Sequence, residues 1–255
     1  MKLQVYSDIH TEFYKSFPHI TRRADTLILA GDIGIFTKSN YTTFLEYVSH
    51  TWKDVIYVPG NHEYYDNMEP ITSIKSIYTT IFSAYDNIHY LDNRSIILHD
   101  GNEKIRFIGS TLWSNPDYIG GLCDFTQIKE LKQNKLVPLS VETFKKMHEQ
   151  SVEYIKQILD DDKTIKTVLI THFPPVTQGT FHPKYKNSIH MNYFSNNLDT
   201  MDISVSNICT WISGHTHFSH NFILDGCRFM SNQMGYPGEL NQSGVEMTDK
   251  SVIDV

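Results

Sequence analysis

The feature that most constrains this chain is a series of short apolar runs, each stopped abruptly and followed by an aspartate, asparagine or histidine. Lys2 to Tyr6 runs into Ser7-Asp8-Ile9-His10. Thr26-Leu27-Ile28-Leu29-Ala30 stops at Gly31-Asp32, and Val55-Ile56-Tyr57-Val58 stops at Pro59-Gly60-Asn61-His62. Thr167-Val168-Leu169-Ile170 stops at Thr171-His172, and Cys209-Thr210-Trp211-Ile212 at Ser213-Gly214-His215-Thr216-His217. Runs this short, apolar and rich in β-branched residues predict strands buried on both faces. Along an extended backbone, residues i and i+2 point to one side, so His215 and His217 can aim at one place.

Helical patterns separate the runs. Tyr41, Phe44, Leu45, Val48 and Trp52 recur at helical spacing, as do Ile71, Ile74, Ile77, Tyr78, Ile81, Phe82 and Tyr85 after Pro70. Phe144, Met147, Val152, Ile155, Ile158 and Leu159 form a third stripe. These are core faces, as packing alone demands. Strands alternating with helices predict βαβ units. Asp100-Gly101 and Asp225-Gly226, each between apolar runs, predict antiparallel hairpins, and therefore mixed sheets. The segment 173–206 lacks periodicity and is rich in Pro, Ser, Asn, Tyr and His, as functional loops often are. The chain is expected to form one α/β domain over 1–255.

The formal net charge of −7 over 255 residues gives no overall field that would draw the chain to nucleic acid or an anionic membrane. Three cysteines, Cys123, Cys209 and Cys227, with no C-x-x-C, argue against a disulfide framework or a zinc ribbon. With no apolar signal-like start and no long apolar run, the chain is expected to be cytoplasmic and without a membrane partner.

In α/β sheets the carboxyl ends of parallel strands line the ligand crevice. Asp8, His10, Asp32, Asn61, His62, His172, His215 and His217 therefore converge if their strands share one edge. A buried cluster of carboxylates and imidazoles needs partners, and divalent metal ions provide them.

D-x-H, G-D, G-N-H-E, a lone His and G-H-x-H, in that order, resemble the calcineurin-like metallophosphoesterase family, over roughly residues 7–217. The resemblance implies a four-layer αββα sandwich with two mixed β-sheets. It also implies two divalent ions, one held by Asp8, His10 and His217, the other by Asn61, His172 and His215, with Asp32 bridging. Such mixed oxygen and nitrogen donors suit Mn²⁺ foremost, with Fe²⁺, Zn²⁺, Co²⁺ or Ni²⁺ as alternatives.

The implied chemistry is hydrolysis of a phosphate ester, a diester or a monoester, by a metal-bridging hydroxide, with His62 as general acid or transition-state stabiliser. A small phosphorylated substrate is expected, with nucleotides among the candidates. Two alternatives stand beside it: a nuclease acting on DNA or RNA, and a non-catalytic scaffold that binds proteins through the same fold.

Overall fold

A computed structural model describes residues 1–65, 68–239 and 251–255. The first elements are β1 (Lys2–Tyr6), β2 (Thr26–Ala30), α1 (Ser39–Thr51), β3 (Asp54–Val58), α2 (Ile71–Phe82) and β4 (Ile88–Tyr90). Next come β5 (Arg94–Asp100), β6 (Glu103–Ser110), α3 (Asp124–Gln127), β7 (Lys129–Lys132), β8 (Lys135–Pro138) and α4 (Val141–Asp161). The remainder carries β9 (Lys166–Thr171), α5 (Met191–Phe194), α6 (Leu198–Met201), β10 (Ile208–Ile212), β11 (Asn221–Leu224), β12 (Cys227–Met230) and β13 (Val252–Asp254).

Two large sheets result. The first runs β13-β1-β2-β3-β4, with β1 to β4 parallel and β13 antiparallel at the edge. The second runs β11-β12-β10-β9-β6-β5, with parallel strands inside and an antiparallel strand at each edge. Both edge strands arise from the Asp-Gly hairpins. Asp225 and Gly226 have φ of 50° and 81°, the left-handed pair that a tight two-residue hairpin requires.

Side-chain alternation along the strands sorts the core into layers. Leu27, Leu29, Val55 and Tyr57 face the helix side and pack with Phe44 and Val48 of α1 and Ile74 and Tyr78 of α2. Ile28, Ala30, Ile56 and Val58 face the other way and meet Phe107, Val168, Ile170 and Ile212 of the second sheet. Ile108, Leu169, Trp211 and Phe229 lie on that sheet's far face, against Ile155 and Leu159 of α4. Helix, sheet, sheet and helix follow in order. Each fully buried aliphatic side chain contributes about 1.5–3 kcal/mol relative to leaving it in water.

The three helical stripes form α1, α2 and α4, with Pro70 just ahead of α2 in extended conformation. Periodicity did not reveal the β7–β8 hairpin, whose outward Leu131 and Leu136 stay exposed. Segment 173–206 holds only short turns of helix, including α5 and α6. No helix among the described residues is long and apolar enough to cross a membrane.

Candidate metal centre

The carboxyl ends of β1, β2 and β3 meet those of β9 and β10 along one rim. The Gly214 N–H donates to the His172 carbonyl within the second sheet, and the His215 N–H donates to Asp8 Oδ1 at 2.9 Å, joining the two sheets. Close approach requires glycine here. A Cβ on Gly60 would lie 2.2 Å from Asp32 Oδ1 and 2.9 Å from the His172 ring.

The backbone bends sharply to aim these side chains. Asp8, His10, Asp32, His215 and His217 all have left-handed φ, between 52° and 74°. That conformation costs roughly 1–2 kcal/mol per non-glycine residue, so packing around the rim must hold it.

The sequence-predicted residues fall into overlapping groups. Ligand atoms of Asp8, His10 and His217 lie within 4.8 Å of one another, as do those of Asp32, His172 and His215. Asp32 Oδ2 sits between the groups, 3.3 Å from His172 Nε2 and 3.9 Å from His10 Nε2. Asn61 Oδ1 is 3.0 Å from His172 Nε2. All are buried except His217, whose side chain is partly exposed.

The outer nitrogens of three histidines are pinned from behind. Nδ1 of His172 meets the Ala30 carbonyl at 3.0 Å, Nδ1 of His10 meets Glu12 Oε1 at 3.1 Å, and Nδ1 of His217 meets Glu239 Oε2 at 2.6 Å. Carbonyl and carboxylate oxygens accept, so each Nδ1 carries the proton and each Nε2 turns a lone pair inward. Those lone pairs have no donor to meet. His10 Nε2 and His217 Nε2 face each other at 3.1 Å, and His172 Nε2 faces two oxygens. His215 Nε2 is buried without a hydrogen-bond partner. Lone pairs opposed in this way need a cation between them, and divalent ions fit the donor set.

Charge in the cluster tells the same story. Burial alone would raise the Asp32 carboxyl, but His172, His62 and His10 hold it well below the usual carboxylate range. Burial disfavours charge on His172, yet the Asp32 carboxylate pushes that ring up to about 9, so without a metal ion the ring takes a proton on Nε2, in the place a cation would fill. Burial, and then neighbouring His172, holds His215 well below an ordinary histidine. Around Asp32 and His172 the site attracts positive charge.

A third group places His62 beside His10 and Asp32. Both nitrogens of His62 are already engaged, Nδ1 with Glu12 Oε1 at 3.0 Å and Nε2 with the Tyr236 hydroxyl at 3.2 Å. Its ring stacks on Tyr65, with centroids 4.2 Å apart.

Several supporting residues escaped sequence reasoning. Glu63 is buried and accepts from the N–H groups of Asp32, Ile33 and Gly60, locking two strand ends together. Burial and the Asp32 carboxylate raise its carboxyl to about 7. Asp124 accepts from Asn61 Nδ2 at 2.9 Å and from the hydroxyls of Tyr65 and Tyr193 at 2.7 Å, which turns Asn61 Oδ1 toward the cluster. Glu12 could have been noticed two residues beyond His10. Asp124 and Glu239 carry no local signal.

The cluster opens into a cleft of about 480 Å³. Leu122, Phe181, Tyr185, Met191, Phe194 and Phe218 give it an apolar wall, with Lys184 also at its lining. His182, His190 and Tyr236 line it too. Trp113 does not: it is buried against Tyr64, Phe144 and Phe173, so its place is in the core. Asn232 and Arg228 lie outside the cleft lining: Asn232 Nδ2 donates to the Val5 carbonyl, and Arg228 Nε donates to Asn221 Oδ1.

Residues 1–219 match the family model of the calcineurin-like phosphoesterases, and the chain belongs to that family. It is a phosphoesterase, a hydrolase of phosphate esters, and its family implies divalent metal ions. A viral relative, uncharacterized protein L509 of Acanthamoeba polyphaga mimivirus, is 33% identical over 231 residues, 84% of this chain and 80% of that one. Among solved structures, the phosphopantetheinyl hydrolase of Mycobacterium tuberculosis is similar with a TM-score of 0.72 at 17% identity, covering 100% of this chain and 95% of that one. A dimetal phosphatase of Danio rerio gives 0.50 at 15% identity, covering 90% and 86%. At these identities the likeness to the solved structures is one of fold.

Proposed function

We propose that the protein hydrolyses a small phosphorylated compound, with nucleotides foremost among the candidates, using two divalent cations of which manganese suits the donors best. Asp8, His10 and His217 would hold one cation, Asn61, His172 and His215 the other, with Asp32 placed to serve both. The observation that carries this reading is the set of inward-turned Nε2 atoms of His10, His172, His215 and His217, none of which meets a hydrogen-bond donor if the other nitrogen is protonated.

When bound, the cations supply Lewis acidity toward the phosphoryl oxygens and an activated water. The remaining work belongs to the chain. Nδ1 of His62 is fixed by Glu12, so its Nε2 faces the cleft and can protonate a departing oxygen. Burial disfavours the charged ring, but Asp32 and Glu12 raise the His62 pKa, which keeps a proton available. The apolar wall excludes water and receives a flat or apolar leaving group.

We read residues 1–255 as one domain and the protein as cytoplasmic; the free thiols Cys123, Cys209 and Cys227 accord with a reducing compartment. The test is a substrate panel run after chelation and again with Mn²⁺: phosphomonoester, phosphodiester, cyclic dinucleotide, nucleoside triphosphate and single-stranded DNA. The expected result is Mn²⁺-restored hydrolysis of a small ester. Restored cleavage of DNA alone would replace this reading with the nuclease, and no restored activity on any substrate would refute hydrolysis.

A further inference from the structure

Glu12 occupies an unusual position. Its side chain is 4% exposed, and one oxygen, Oε1, lies 3.1 Å from Nδ1 of His10 and 3.0 Å from Nδ1 of His62. The other oxygen, Oε2, is buried without a partner. Among the described residues no lysine or arginine pairs with it. A buried carboxylate in that situation depends on the two ring N–H groups, and the two rings depend on it.

We propose that Glu12 is a shared positioning residue, whose Oε1 accepts from Nδ1 of both His10 and His62 and so turns Nε2 of His10 into the ligand cluster, toward His217, and Nε2 of His62 toward the cleft. The rings lie edge to face, with centroids 4.4 Å apart, so neither can swing without the other yielding. One carboxylate thereby sets the aim of a candidate metal ligand and of the candidate proton donor. The turn that carries it begins directly after His10, with residues Thr11–Phe13 in a single helical turn and His10 in a left-handed conformation. That bend brings Glu12 back over the ring of His10 and across to His62. A carboxylate–histidine pair is a common way to fix ring orientation at a metal. Here one oxygen serves two rings with different tasks.

The consequence for activity rests on the proposed hydrolysis, but the geometry does not. The first arm is therefore spectroscopic. Two-bond ¹⁵N–¹H correlation on the metal-free protein should find Nδ1 protonated in both His10 and His62. A bare Nδ1 in either ring overturns the proposal. This arm holds even if no phosphate ester proves to be a substrate, so its failure and the failure of the hydrolase reading can be told apart.

The second arm is kinetic, on Mn²⁺-loaded protein, with an aryl diester that has a good leaving group and an alkyl ester that has a poor one. Glu12→Ala should lower kcat on the alkyl ester by about 10²-fold, the lower range for a lost general acid, with KM changed little. The aryl ester should lose less than about tenfold, because its leaving group needs little protonation. Glu12→Gln keeps an acceptor oxygen and should recover most of the loss. At saturating Mn²⁺, which offsets the metal affinity lost through His10, the double variant Glu12→Ala/His62→Ala should be no slower than His62→Ala alone, since groups acting as one unit are not additive. Equal losses on both esters, or losses that multiply in the double variant, overturn it. Should Glu12→Ala fail to fold, Glu12→Gln and the wild-type spectrum still decide.

Discussion

His10 and His217 face each other Nε2 to Nε2 at 3.1 Å, although 207 residues separate them in sequence. Each ring is held from behind by a carboxylate, Glu12 for His10 and Glu239 for His217. Neutral rings so fixed would oppose two lone pairs. Replacing His217 with alanine removes one member of that pair and one candidate ligand. His217→Ala is expected to lose one bound ion per chain in elemental analysis. The loss of metal affinity should exceed the roughly 10–100-fold that follows removal of an outer-shell partner.

Glu239 stands behind the candidate ligand His217 in this way. Glu239→Ala should weaken binding of the ion beside Asp8 and His10 by about 10–100-fold and leave the other ion in place. A two-site metal titration checks this: one affinity moves and the other stays.

His62 should separate from the ligands. Both of its nitrogens are engaged, so His62→Ala is expected to keep full metal content while kcat on a poor-leaving-group ester falls by about 10²–10⁴-fold. Metal loss as complete as in His217→Ala would make His62 a ligand instead.

Gly60 tests how tightly the rim is packed. Its missing Cβ would stand 2.2 Å from Asp32 Oδ1 and 2.6 Å from the Asp32 nitrogen. Gly60→Ala must move the Asp32 loop, at a stability cost of about 1–3 kcal/mol in urea unfolding, and activity should fall with it.

His220 gives a pH signature away from the cluster. Burial pushes its ring down to about 4, against 6.5 for an ordinary histidine. The unfolded chain therefore binds the extra proton between those values. Stability is complete above about pH 6.5 and falls as the pH drops toward 4, by at most about 3 kcal/mol. Urea unfolding across that window checks it: His220→Gln should show a shallower pH slope than the wild type.

Much of this was legible in the sequence because strand termination is a local event. Gly31-Asp32 and Pro59-Gly60-Asn61 end their strands where the backbone must turn, and the turn residues are visible in order. The hairpins at Asp100-Gly101 and Asp225-Gly226 were legible for the same reason. The β7–β8 hairpin was not, since Lys129–Lys132 and Lys135–Pro138 are short and half exposed, with no continuous apolar face. Within the site, the residues directly on the strand ends could be named. Two of their supporting carboxylates could not, because Asp124 at the start of the short α3 and Glu239 in a loop reach the cluster along paths that only the packed fold defines. Trp113, after the apolar run Ile105–Ile108, is buried in the core, where its side chain fills the space between Tyr64, Phe144 and Phe173.

The most direct test of the central claim is anomalous diffraction at the manganese edge from crystals grown with excess Mn²⁺. Two peaks are expected about 3.5–4 Å apart. One should touch Asp8, His10 and His217, the other Asn61, His172 and His215, with Asp32 on both. Absence of any peak at this rim, or ions bound only elsewhere on the surface, would contradict the account.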